Sequence, residues 1–215
     1  MASKLLIIGI SGVTCGGKTT LSSRLKECLP KTRLISQDDY FLDVDDPRHT
    51  WISELNHINF DILSSLDMEK MNRDIQNIVR NTHLFKISNI NKGNKNIQSI
   101  ETFQNLEVAV YEKVKKSNVY ILIVEGFSIF NYKPLQNAFH LKYYFTLSKE
   151  ECWQRREQRV YEPPDCPGYF EKCVWPEHEE QLREVREEVT DVKYFDGTSN
   201  NAFESVLLDI DSILD

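Results

Sequence analysis

Gly12-Val13-Thr14-Cys15-Gly16-Gly17-Lys18-Thr19 satisfies the phosphate-binding pattern G-x-x-x-x-G-K-[ST] at every fixed position, and its reading decides the fold. The glycines let the backbone turn tightly and aim several N–H groups at anionic oxygens. Lys18 can reach β- and γ-phosphates, and the Thr19 hydroxyl can ligate Mg²⁺. The flanks agree with the motif. Lys4 to Ile10 is a short apolar run suited to a buried parallel strand, and Thr19 to Cys28 reads as a helix stopped before Pro30. Strand, loop and helix N-terminus come in the order that points the helix dipole at a phosphate. Residues Gly12 to Thr19, with Thr20 in the same first turn, are therefore the candidate nucleoside triphosphate site.

Working outward, strand and helix patterns alternate. Arg33 to Gln37 is a second strand, and Asp61 to Arg80 carries helical apolar spacing, with Asp67 able to restart the helix as an N-cap. Val119 to Val124 is the strongest buried strand; Lys142 to Leu147 and Val192 to Phe195 add two more. Ser148-Lys149-Glu150-Glu151 is a capping box opening a charged helix through Arg159. Trp175-Pro176 opens another helix through Val189, and a last one closes near Leu214. Such alternation predicts an α/β chain of the P-loop NTPase fold. Its five-stranded parallel sheet has helices on both faces and binds ligands at the C-terminal strand ends. Residues 81 to 118 interrupt the pattern, with six asparagines between Asn81 and Asn105. They read as an insertion, part flexible loop and part amphipathic helix from about Phe103, within one domain spanning residues 1 to 215.

Composition narrows the partners. The chain has 215 residues, 40% of them hydrophobic, enough for a sizeable core. With 26 basic and 33 acidic side chains the net charge is −7, which disfavours non-specific nucleic-acid binding. Five cysteines, an odd number without C-x-x-C or zinc spacing, fit a reducing compartment. The six-residue apolar stretch before the glycine loop is too short for a signal peptide. No run reaches membrane-spanning length, so a cytoplasmic chain without membrane partners is expected.

A phosphate loop alone does not separate kinase from GTPase, ATPase or sulfotransferase; three further sites do. Asp38-Asp39-Tyr40-Phe41 follows the second strand, where a carboxylate beside the loop can accept a hydroxyl proton and touch Mg²⁺. Glu125 ends the most apolar strand and can contribute a metal contact. Arg155-Arg156-Glu157-Gln158-Arg159 runs into a Pro-rich stretch, as expected of a lid (about residues 150 to 170) that closes arginines over a transferring phosphate. On a helix Arg155 and Arg159 share a face while Arg156 points about 100° away. The Asn-Lys-x-Asp base-reading motif of GTPases is absent.

Together with the phosphate loop, several segments resemble nicotinamide riboside kinases, of the uridine kinase-like group of P-loop kinases: Ser36 to Phe41, Val124 to Phe127, Phe130 to Leu135, Arg159 to Tyr161, Pro163 to Asp165, Pro167 to Phe170 and Val174 to Pro176. The resemblance runs from about Leu5 to Ser199, outside residues 81 to 118. It implies ATP-dependent phosphorylation of the 5′-hydroxyl of nicotinamide riboside, with Mg²⁺ as cofactor. Asp38 then matches the base and a Mg²⁺ contact, with Asp39, Tyr40 and Phe41 beside it on the substrate side. Thr19 matches the Mg²⁺ ligand and Lys18 the phosphate clamp. Phe60 stands where the family stacks an aromatic on the pyridine, usually Tyr, and Asp61 where a carboxylate holds the ribose hydroxyls. Arg156 matches a ribose-side contact, Asp165 a substrate-side acid, and Arg155, Arg159, Val160 and Tyr161 nucleotide-side contacts. Tyr161 also completes the aromatic sandwich. Glu162 falls near the pyridine substituent, where a neutral side chain is common in the family. Ser199, Asn200 and Asn201 match a segment against the adenine. A uridine or cytidine kinase, and a nucleotide-binding adaptor that uses the insertion to hold a partner, are the alternatives.

Overall fold

The computed structural model describes residues 4–81, 85–86 and 100–214. Strand β1 (Lys4–Gly12) is buried at every position but its first and lies at the centre of a parallel sheet. Helix α1 (Lys18–Cys28), β2 (Thr32–Ser36), a short antiparallel pair β3 (Trp51–Ile52) and β4 (His57–Ile58), and α2 (Met68–Asn81) follow. Then come β5 (Phe85–Lys86), α3 (Ile100–Lys116), β6 (Val119–Glu125), α4 (Lys133–Gln136), β7 (Leu141–Thr146) and α5 (Lys149–Arg156). The chain closes with α6 (Trp175–Glu188), β8 (Val192–Asp196) and α7 (Ala202–Leu214). The sheet order β2-β6-β1-β7-β8 supplies the five expected strands, and the two-residue β5 adds to the start of β1.

The strand alternation sends side chains to two helical layers. Leu6, Ile8 and Ile10 pack with Leu21 and Leu25 of α1, Leu106, Val110 and Val114 of α3, and Val206, Leu207 and Ile210 of α7. Leu5 and Ile7 face the other side, against Met71 and Ile75 of α2, Leu135 of α4 and Val185 of α6. Each such buried aliphatic side chain contributes roughly 1.5–3 kcal/mol, so the two layers hold the sheet from both faces.

Three expectations change. The pattern from Asp61 does not start a helix there. Leu63–Ser65 forms a 3₁₀ turn, and α2 begins at Met68 once Asp67 caps it, its carboxylate accepting from the Lys70 N–H at 2.9 Å. The charged helix stops at Arg156 rather than Arg159, so Arg155 and Arg159 do not share a helical face. Its Ser148 cap does form, accepting from the Glu151 N–H at 3.1 Å. Finally, the helix placed near Phe103 starts at Ile100, and its Leu106, Val110 and Val114 are core residues. It is a structural layer of the sheet; the asparagine-rich residues 87–99 lie outside the described residues.

Candidate active site

Because β1, β2, β6 and β7 run parallel, the segments after their C-terminal ends converge on one edge. Residues 13–17 follow β1, Asp38 follows β2, Glu125 ends β6 and Arg156 lies on the helix after β7. These segments line a cavity of about 400 Å³ together with Phe41, Phe60, Asp61, Arg159, Tyr161 and Glu162.

Glycine is required at the entry to the loop. Gly12 has φ 125°, and a Cβ there would lie 2.2 Å from the Phe145 carbonyl oxygen. Gly17 caps α1 in the left-handed conformation, without a side-chain cap, so the helix presents free N–H groups to the loop. The Lys18 ammonium donates to the Val13 carbonyl at 2.7 Å. Burial lowers its pKa, while the charges of Glu125 and Asp38 oppose that shift.

The neighbouring carboxylates are set by register. Glu125 pairs across β6 with Ile10 on one side and Ser36 on the other. Its Oε1 accepts from the Ser36 hydroxyl at 2.5 Å, and its Oε2 from the Thr19 hydroxyl at 3.5 Å. Burial raises its pKa and the Ser36 hydrogen bond opposes it. Gln37 locks the adjoining turn: its amide bonds the Ser128 hydroxyl at 3.0 Å and the Ser128 N–H at 3.1 Å. A Cβ at Gly126 would come within 2.3 Å of the Gln37 Cβ, so the turn after β6 closes on the start of the Asp38 segment. Asp38 opens to the cavity, yet the surrounding protein desolvates it and raises its pKa against the pull of Lys18.

The opposite wall is aromatic and acidic. Phe60 meets His49 and His57 edge-on, with ring centroids 5.3 and 5.7 Å away. Phe41 stacks on Phe127 at 6.1 Å. Asp61 accepts from the Tyr169 hydroxyl at 2.9 Å, and that hydroxyl in turn accepts from the Phe60 N–H at 2.8 Å. Burial raises the Asp61 pKa, with Arg156 and the Tyr169 hydrogen bond opposing. Arg156, 6% exposed, forms a bidentate pair with Asp165 at 2.7 and 3.0 Å. Its third nitrogen donates to the Thr14 hydroxyl at 3.2 Å, and its guanidinium lies 4.2 Å from the centre of the Tyr161 ring.

Most of the residues picked from sequence gather here: Thr14 to Thr20, Asp38, Phe41, Phe60, Asp61, Glu125, Arg156, Arg159, Tyr161, Glu162 and Asp165 line the cavity. Several do not. Tyr40 turns its hydroxyl to Asp74 of α2 at 3.0 Å, and Asp39 is exposed outside the cavity. Val160 is 96% exposed, because its side chain falls on the outer side of the stretch whose inner side carries Tyr161. Gly12 and Val13 are buried beneath the loop. Arg155 donates to the carbonyls of Cys15 and Gly197 at 3.2 and 3.1 Å, tying α5 to the loop and to the turn after β8. Ser199, Asn200 and Asn201 are exposed just past that turn, where Gly197 packs on Gly16. The sequence reading missed Leu42, Val44, Pro163 and Tyr169 in the cavity wall and gave Phe127 no site role. Phe127 had a usable signal, directly after Glu125-Gly126; Leu42 and Val44 had none.

The parallel sheet, the glycine loop and the carboxylates at its edge define a P-loop NTPase. A family model described as an AAA domain matches residues 8–189. Nicotinamide riboside kinase 1 of Rattus norvegicus is 39% identical over 200 residues, covering 91% of this chain and 87% of that protein. Nicotinamide riboside kinase 1 of Homo sapiens is 37% identical over 198 residues, 92% and 86% of the two chains. A uridine kinase of Borreliella burgdorferi is more distant, 29% identical over 157 residues, 71% and 66% of the two chains. The chain belongs to the nicotinamide riboside kinase family. Among the described residues no helix is long and apolar enough to cross a membrane.

Proposed function

We propose that this chain transfers the γ-phosphoryl group of ATP to the 5′-hydroxyl of nicotinamide riboside, forming the mononucleotide used in NAD biosynthesis. The observation that carries the reading is the joining of two chemistries in one cavity. A desolvated Asp38 beside Lys18 stands at the phosphate loop, and Phe60, Asp61 and Tyr161 line the same space. A pyridinium ring is a fixed cation, which aromatic faces and carboxylates attract.

In this reading the hydroxyl oxygen attacks the γ-phosphorus, the bond to the ADP oxygen breaks, and the hydroxyl proton passes to the Asp38 carboxylate. Lys18 and the α1 N-terminus hold the phosphates, while Arg156 and Arg159 add positive charge from the 150–170 lid. Phe60 and Tyr161 sandwich the pyridine, and Asp61 receives the ribose hydroxyls. Arg155 and residues 199–201 border the adenine.

Kinases of this fold use Mg²⁺ with ATP. The oxygen donors of Thr19, Asp38 and Glu125 suit that hard cation, which takes one or two carboxylates and completes its shell with phosphate oxygens and water. The Thr19 hydroxyl, 3.5 Å from one Glu125 oxygen, supports the fit by bringing two of these donors together, while the Ser36 hydroxyl fixes the other oxygen. When bound, the ion would screen the charge between β- and γ-phosphates.

The test is a substrate panel with Mg-ATP: nicotinamide riboside, nicotinic acid riboside, uridine and cytidine. Turnover of a pyridine riboside at a kcat/KM at least about tenfold above either pyrimidine nucleoside is expected, a gap of ~1.4 kcal/mol in transition-state binding. Preference for uridine or cytidine would replace this reading with that of a pyrimidine nucleoside kinase. Nucleotide binding without any turnover would favour a silent adaptor.

A further inference from the structure

Ser36 closes β2, and the sheet register sets it beside Glu125, the last residue of β6. Its hydroxyl donates to Oε1 of Glu125 at 2.5 Å. The next residue, Gln37, is bonded twice to Ser128, so the strand end that carries this hydroxyl is itself held in place. Glu125 and Thr19 line the cavity, whereas Ser36 is not among its lining residues. Ser36 therefore grips the carboxylate from the sheet side. The other oxygen, Oε2, is the one that lies 3.5 Å from the Thr19 hydroxyl.

That grip matters because Glu125 is 3% exposed and other charges act on it. It attracts Lys18 and repels Asp38, so a carboxylate released from Ser36 would be drawn toward the ammonium. Lys18 instead donates to the Val13 carbonyl at 2.7 Å, and no ion pair joins it to Glu125 among the described residues. A hydroxyl bonded to a carboxylate is charge-assisted and belongs to the stronger class of hydrogen bonds. Groups that hold a metal ligand from behind fix its orientation, and losing one typically costs roughly 10- to 100-fold in metal affinity or activity.

We propose that Ser36 is a positioning residue for phosphoryl transfer: it anchors Oε1 of Glu125 so that Oε2 stays available, beside Thr19, to the Mg²⁺ that accompanies ATP. The proposal rests on the Mg²⁺ assignment in the kinase reading above and deepens it. It does not depend on which riboside accepts the phosphoryl group.

The experiment uses Mn²⁺, a paramagnetic cation that favours the same oxygen donors. It is titrated into the full chain saturated with a non-hydrolysable ATP analogue, and free Mn²⁺ is read by electron paramagnetic resonance. The unmodified chain, Ser36→Ala and Ser36→Thr are compared. The readout is the dissociation constant; unfolded protein lowers the number of sites instead. Ser36→Ala should weaken Mn²⁺ binding by at least about fivefold. Ser36→Thr keeps the hydroxyl on a side chain suited to a strand and should stay within about twofold of the unmodified chain. In turnover, the kcat deficit of Ser36→Ala should narrow as Mg²⁺ is raised, by mass action. Unchanged Mn²⁺ affinity in Ser36→Ala, or equal loss in Ser36→Ala and Ser36→Thr, overturns the assignment while the kinase reading stands. An unmodified chain that binds Mn²⁺ no more tightly than the analogue alone overturns the metal assignment and this inference together.

Discussion

His178 sits behind the phosphate loop, and its charge state should set how the protein responds to acid. The residue is 6% exposed, on α6, with its ring stacked near Tyr144 and tilted against Trp175. Its Nδ1 has no hydrogen-bond partner among the described residues. It borders a small void shared with Gly12, Val13, Thr14 and Asp61. Burial pushes its pKa from 6.5 down to about 4, and the charges of Lys18 and Arg186 act in the same direction. The unfolded chain therefore takes up this proton first as pH falls. The stability associated with neutral His178 is present above pH 6.5 and is lost between 6.5 and about 4. A shift of that size corresponds to ~3 kcal/mol, a large share of a typical ~5–15 kcal/mol total. Urea unfolding at half-unit steps from pH 7 to pH 4 should show it as an excess slope relative to His178→Phe. The Phe ring can alter packing and so move the whole curve, but a packing penalty does not depend on pH. Carboxylates titrate in both proteins and cancel in the difference. Parallel curves for the two proteins, within about 0.5 kcal/mol across the range, would refute the claim that this imidazole is held neutral.

Asp38→Asn should lower kcat by at least ~10²-fold with ATP binding largely kept, while Asp39→Asn, outside the cavity, should change kcat less than about threefold; equal losses in steady-state kinetics would remove Asp38 as the base. Asp61→Asn should raise the melting temperature at pH 7 while weakening riboside binding. Burial holds the Asp61 pKa above its unfolded value, so the ionised carboxylate is a penalty at neutral pH that fades as pH falls through the raised folded value and is gone below the unfolded one. Calorimetry showing no stabilisation at pH 7, or a gap that widens in acid, would contradict this. Leu106→Ala should cost about 2–3 kcal/mol in urea unfolding, because α3 is a core layer, whereas a loop residue would cost less than about 0.5 kcal/mol.

The local order around residues 4–28 was legible from sequence because each step is a short-range rule. A buried strand needs a continuous apolar run, a phosphate loop needs glycines at set spacing, and a helix needs its cap. The strand ending in Glu125, the Ser148 cap and the Trp175-Pro176 helix start follow for the same reason. Whole-sheet assembly decided the rest. That Glu125 lies between Ile10 and Ser36 is a matter of strand register, which joins residues 89 and 115 positions apart. That Tyr40 faces α2 and Tyr161 faces the cavity, while Val160 faces solvent, depends on how turns pack. Turns carry no periodicity to read. The asparagine-rich stretch hid the start of a helix whose Leu106, Val110 and Val114 already had helical spacing. Only the apolar face of α7 and the sheet, distant in sequence, gave those side chains something to bury against. Local chemistry names the groups, and long-range packing decides which of them share one cavity.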